Sequence, residues 1–207
     1  MSPPLTRLVP RIRLRVAQRT PKAPCRYHDG PDGPVRELPM LRLVTVARVY
    51  PLTGSYQAVE RADALIDTGS WLSALRPDWW SSYLELGMLE ILPFADGTTE
   101  RTAHIAGVTT PYRLGRLRVG LLDLLGPRER GPNGPLFHEL PPMPVVAQLF
   151  LDPRLDHERM PFPFILGLHA GVLDGRRLRR EPGPPVPTGL ETDAGPAHGQ
   201  DWFLETV

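Results

Sequence analysis

Cysteine, long apolar runs and net charge are all nearly absent from this sequence. Among 207 residues there is one cysteine, Cys25, so no intramolecular disulfide can form. A lone thiol is compatible with a reducing compartment. No stretch approaches the ~18 consecutive apolar residues of a membrane-crossing helix, so no membrane partner is expected. The N-terminal region is basic but lacks the uninterrupted apolar run of a secretory signal, and a cytoplasmic location is expected. Lys and Arg total 24 against 23 for Asp and Glu, a net charge of +1. That balance speaks against a polyanionic partner, and no nucleic acid is expected.

Proline is in excess, with 26 residues beside 19 glycines. Such a composition argues against a mostly helical protein and favours short strands, turns and non-globular ends. Residues 1–39 are rich in Arg and Pro and read as a disordered leader. Within them Ile12-Arg13-Leu14-Arg15-Val16 alternates as a half-buried strand does, fitting an edge strand or a subunit interface. No stacking aromatics interleave with the arginines, Tyr27 alone being near, which weakens a nucleic-acid role. Residues 181–207 read as a Pro/Gly-rich disordered tail. The ordered domain is expected over residues 40–180.

Inside that span the strand signals follow one another. Residues 41–50 are rich in β-branched side chains, and Pro51-Leu52-Thr53-Gly54 signals a turn. A second strand over residues 56–66 ends in Ala64-Leu65-Ile66-Asp67-Thr68-Gly69-Ser70. An apolar strand ending on a carboxylate is costly unless something uses the charge. Pro77 suits the first turn of a short helix, Asp78 suits its dipole, and Gly87 suits its end. From residue 90 to 122 the pattern is β again, with a hairpin turn signal at Ala95-Asp96-Gly97 and a small, apolar, flexible stretch at Ile105-Ala106-Gly107-Val108. A phase slip at Gly115-Arg116 predicts a bulge or bend. Residues 123–143 and 152–163 read as loops. Asp152, Asp156, His157 and Glu158 do not have the spacing of a strong metal site, so neither metal nor cofactor is expected. The apolar run Phe164-Ile165-Leu166-Gly167 precedes a short helix expected at 168–173, and four arginines crowd residues 176–180, as on a charge-guarded edge strand.

Two of these pieces belong together. Asp67-Thr68-Gly69-Ser70 after an apolar strand, and Ile165-Leu166-Gly167 placed 100 residues later, make the chain resemble the retropepsin-like aspartic proteases. The resemblance covers roughly residues 40–180. It implies an all-β, retropepsin-like half-barrel with one or two short helices. It also implies an aspartic endopeptidase with Asp67 as the catalytic carboxylate. By the same resemblance Thr68 braces the matching loop of a second subunit, and Gly69 allows close backbone approach. Ser70 hydrogen-bonds the carboxylate, favouring its ionised form. Ile165, Leu166 and Gly167 cross beneath the Asp67 loop. A flap lies between residues 92 and 108, its tip at Ile105-Ala106-Gly107, with Asp96-Gly97 the alternative.

Aspartic proteolysis needs two carboxylates sharing a proton. Asp193-Ala194-Gly195 has no apolar strand before it, and Asp96-Gly97 has the wrong order. The expected enzyme is therefore a homodimer acting on a protein or peptide, with Asp67 from each subunit meeting across a two-fold axis. Leu168-His169 and Trp71-Leu72 stand where retroviral members carry a charged pair. This departure and the long loops motivate an alternative, a non-catalytic retropepsin-like dimerisation or peptide-binding module.

Overall fold

A computed structural model describes residues 6–19, 25–28, 33–38, 40–53, 60–67, 70–105, 107–123, 129–131, 134–167, 175–182 and 200–207. In chain order the strands begin with β1 (Thr6–Leu8), β2 (Arg11–Arg19), β3 (Cys25–His28), β4 (Val35–Leu38), β5 (Met40–Tyr50), β6 (Glu60–Ile66) and β7 (Ser73–Leu75). Helix α1 (Pro77–Glu85) follows, the single helix among the described residues. Then come β8 (Leu89–Leu92), β9 (Arg101–Ile105), β10 (Val108–Asp123), β11 (Glu129–Gly131), β12 (Gly134–Phe150), β13 (Phe164–Leu166), β14 (Arg176–Pro182) and β15 (Gln200–Thr206). The fold is all-β with little helix, as expected. The helix expected at 168–173 lies outside the described residues. No helix among them is long and apolar enough to cross a membrane.

Six strands close on themselves. Going round, β5 pairs with β6, β6 with β13, β13 with β7, β7 with β12, β12 with β10, and β10 returns to β5. The β6–β13 and β7–β12 pairs are parallel and the other four antiparallel. Closure removes the exposed edges an open sheet would leave. The interior is filled by alternate side chains of these strands, among them Ala47, Ala64, Leu117, Val145, Leu149 and Leu166, all fully buried.

The ends of the chain are part of this body. Ile12 and Leu14 are buried at 0% and 1% exposure, and β2 is an interior strand between β15 and β5. Leu204 of β15 is also buried in the core. Residues 6–8, 11–19 and 200–206 are therefore strands where a disordered leader and tail were expected, and positions 39/40 and 180/181 do not bound the fold. Fully burying one such aliphatic side chain contributes about 1.5–3 kcal/mol, which offsets the ordering of its neighbours. β14 lies at the sheet's edge, paired with β15.

Two further expectations change. Residues 134–143, read as loop, are the first half of β12. Pro141 and Pro142 fall where the β10–β12 register shifts, between Val119↔Met143 and Leu121↔Leu140. Prolines lack the N–H that a regular ladder needs, so the irregularity sits there and not at Gly115. At Gly115 the pairing is unbroken, but the buried face changes. Val108 and Thr110 are buried before it, Leu117 and Val119 after it. A Cβ at Gly115 would lie 2.5 Å from Leu149 Cδ1, so a larger residue there would displace that side chain.

Helix α1 forms as expected. Pro77 opens it, Asp78 lies in its first turn, and the chain leaves it through Gly87 at φ +67°. Tyr83 is buried, while Trp79 and Trp80 pack against the core as structural aromatics.

Candidate functional site

Asp67 lies just past the last residue of β6. Its backbone N–H donates to Leu166 O at 3.0 Å, extending the parallel ladder with β13 by one step. Its own carbonyl accepts the Ser70 N–H at 3.2 Å, closing a tight turn. Thr68 and Gly69, the centre of that turn, lie outside the described residues. The Ser70 hydroxyl donates to Leu72 O at 2.8 Å. The Asp67 side chain is half-buried.

Ile165, Leu166 and Gly167 lie beside this turn. Leu65 is paired with Ile165, and Ile66 with Leu166. Gly167 N–H donates to Ser73 Oγ at 3.2 Å. A Cβ on Gly167 would lie 2.4 Å from the Leu72 carbonyl carbon and 2.5 Å from its oxygen. The two backbones touch, and only glycine fits between them. Strand alternation puts Asp67 on the face of Leu65, opposite the buried Ala64 and Ile66.

That outer face carries a second apolar cluster. Ala74, Val108, Phe150, Leu155 and Met160 are buried in it, with Ile105, Tyr112 and Ile165 packed against them. Ile105 and Val108 are paired at the end of the β9–β10 hairpin. Gly107 stands in its turn at φ +78°, exposed, while Ala106 lies outside the described residues. The hairpin reverses at Gly107, and its Ile105 and Val108 belong to the same apolar cluster as Leu155 and Met160 of the 152–163 segment. Tyr112 holds its base, edge-on to Phe150 at 6.3 Å and to Phe94 at 5.9 Å.

The alternative tip, Asp96-Gly97, is a different turn. Thr98 donates to the Asp96 carboxylate through its hydroxyl and its N–H, and Arg101 pairs with it at 3.0 Å. Those bonds, led by the Thr98 hydroxyl, hold its pKa near 2. The flanking strands β8 and β9 each pair with β10.

The 152–163 segment is a folded loop. Asp152 grips Arg154, which holds the Asp152 carboxyl near 2. Asp156 accepts the N–H groups of Glu158 and Arg159. Arg76 ties the segment to α1, donating to Met160 O at 3.0 Å while it chelates Asp78 at 2.6 and 2.8 Å. These acids serve the loop's own backbone. Among the described residues no group of three His, Cys, Asp or Glu stands together as a metal site.

Sequence reasoning missed one charged cluster. Glu139 of β12 is completely buried, with Oε2 accepting from Arg48 Nη1 at 3.0 Å and Oε1 from the Tyr50 hydroxyl at 2.5 Å. Burial, then the bond to Glu139, pushes the Tyr50 phenol well above its ordinary value. The available signal was Arg48 itself, a cation inside the apolar run Val44 to Val49 that requires a carboxylate.

Comparison with known protein families, curated proteins and solved structures finds no match to this chain.

Proposed function

We propose that the protein is an aspartic endopeptidase that acts as a homodimer, with one catalytic Asp67 per subunit. The observation that carries this reading is the crossing at Asp67. The carboxylate-bearing turn is hydrogen-bonded to Leu166, and Gly167 passes against the Leu72 backbone with no room for a side chain. Such a crossing fixes the backbone of a carboxylate at the rim of a closed barrel, with an apolar hairpin on the same face.

In the dimer two Asp67 side chains stand together, and like charge forces them to share one proton. The ionised carboxylate takes a proton from water as the water oxygen adds to the scissile carbonyl carbon. The protonated one gives its proton to the carbonyl oxygen. Collapse of the resulting diol, with proton transfer to the amide nitrogen, releases the amine and the acid. The substrate is a protein or peptide, bound extended under the Ile105–Gly107 hairpin, and the setting is cytoplasmic.

The test is peptidase activity at mildly acidic pH, with mass in solution measured on the same sample. The expected result is a dimer whose activity follows a bell-shaped pH profile and is abolished by Asp67→Asn. Activity equal in both proteins would sink the reading. Two observations favour the second reading, a non-catalytic dimerisation or peptide-binding module. The Ser70 hydroxyl is turned to Leu72, and the hairpin's Ile105 and Val108 share an apolar cluster with Leu155 and Met160. Peptide binding without cleavage, unchanged in Asp67→Asn, would favour that module.

A further inference from the structure

Among the described residues β14 ends the sheet, and the polarity of its edge can be read from one hydrogen bond. Val207 N–H donates to Gly175 O at 3.0 Å, and these two residues continue the β14–β15 register. In an antiparallel ladder, bonded and non-bonded pairs alternate. Residues 177, 179 and 181 therefore bond β15, while Arg176, Leu178 and Arg180 turn their N–H and C=O groups to the open edge. Pro182 ends the donor row, having no N–H.

The side chains along this edge are cationic. Arg177, Arg179 and Arg180 are exposed. Arg179 pairs with Glu181 at 3.1 Å, and among the described residues Arg177 has no partner. On the inner side Arg176 Nη2 donates to Pro141 O at 2.9 Å, but Nη1 is buried with no acceptor. Burial without a carboxylate lowers the Arg176 pKa to about 10.

We propose that the open edge of β14 is a docking strip for an extended acidic segment of a partner protein. The segment adds as a further strand, bonding the backbone of Arg176, Leu178 and Arg180. It sets carboxylates at alternate positions against Arg177 and Arg179 and an apolar side chain between them beside Leu178. A second copy of the chain is disfavoured, because β14 against β14 sets arginine opposite arginine. A nucleic acid fits less well. The arginines of β2 on the adjoining face are already held, Arg11 by Glu181 at 2.6 Å and Arg13 by Asp201 at 2.9 Å. The nearby Phe203 ring is covered by Arg11 at 3.5 Å, leaving no surface for a base to stack on. Three strands, β15, β2 and β5, separate this edge from β6, so the strip is distinct from the Asp67 site.

The experiment is residue-resolved amide exchange on the full chain with a capped peptide alternating Glu and Val. Its Lys-Val counterpart and a short single-stranded oligonucleotide serve as controls. The Glu-Val peptide is expected to slow exchange at Leu178 and Arg180 at least about fivefold, and the controls to leave them unchanged. The double variant Arg177→Glu, Arg179→Glu is expected to weaken peptide binding by about tenfold or more. Arg180→Pro, at an exposed position, removes an outward N–H without breaking a bond to β15 and is expected to weaken binding while β10 keeps its protection. Three results would overturn the proposal: binding unaffected by the charge reversal, equal protection by the oligonucleotide, or amides of Leu178 and Arg180 already protected in the free protein.

Discussion

Asp67 and Glu139 are carboxylates of the same barrel in opposite situations. Glu139 is completely buried and faces Arg48 and Tyr50, themselves 4% and 3% exposed. Gly120 is part of the enclosure, since a Cβ there would lie 1.8 Å from Glu139 Oε1. Desolvating a charge costs several kcal/mol, and here a cation and a hydroxyl offset that cost inside the fold. Asp67 lies beyond the last paired residue of β6 and is half-buried, and its backbone fixes its position. The difference separates two uses of charge. A sealed carboxylate belongs to the architecture, and a half-buried one at a barrel rim is the one the proposed reaction calls for.

The sharpest way to break that contrast is Glu139→Ala. It leaves the Arg48 guanidinium buried without its carboxylate, and removing one member of a buried pair typically costs about 3–5 kcal/mol. Urea unfolding should show a loss of that size. A loss under about 1 kcal/mol would mean that the cluster is solvated and the contrast with Asp67 false.

Tyr50→Phe is the milder cut on the same side. It deletes a hydrogen bond to a charged acceptor, expected to cost about 1.5–3 kcal/mol. The phenol also gives the cluster a pH signature. Its pKa is raised in the fold above the ordinary 10.0, so the neutral form is the one the fold prefers. That stabilisation is fully present below pH 10 and is lost as pH rises above it toward the folded value. Stability followed from pH 8 to 11 should therefore fall at the alkaline end in the parent, and by less in Tyr50→Phe.

On the Asp67 side the sensitive point is Gly167. Gly167→Ala drives a Cβ into the Leu72 carbonyl, which is backbone and cannot swing away. A destabilisation of about 1–3 kcal/mol is expected from overpacking. Because the shift falls on the Asp67 turn, peptidase activity should fall further than stability does. An alanine tolerated without loss of either would remove the crossing as the basis of the site.

The two regions were unequally legible in the sequence. The Asp67 side announces itself locally, through Ala64-Leu65-Ile66 running into the turn, and Gly107 where the hairpin reverses. Pro77 and Gly87 likewise mark both ends of α1, because helix starts and stops depend on near neighbours. Glu139 could not be found that way. Its bond to Arg48 spans 91 residues, and it lies between Pro135 and Pro141 in a stretch whose composition reads as loop. Proline content predicts breaks in pairing, yet β12 runs through these positions and absorbs them as a register shift. The terminal strands were hidden by averaging. Trp202, Phe203 and Leu204 are an apolar run, but the Pro/Gly-rich stretch before them dominated the composition of the tail. The turn of Ser70 toward Leu72 was not legible at all, since a hydroxyl chooses its acceptor by local geometry.

Asp67→Asn is expected to have the smallest effect on stability and carries the most information. Asparagine keeps the shape and one carbonyl acceptor, and the backbone bonds to Leu166 and Ser70 are untouched. Unfolding should change by no more than about 0.5 kcal/mol, as at a site away from the core. Activity should nevertheless vanish, because an amide can neither take a proton from water nor hold the shared one. A heterodimer of parent and variant subunits then separates chemistry from folding. With a single carboxylate in the pair, turnover should be lost across the whole pH range while the mixed dimer stays folded. If mixed dimers keep half the parent activity, each subunit works alone, and the pairing of Asp67 with its copy is not what drives the reaction.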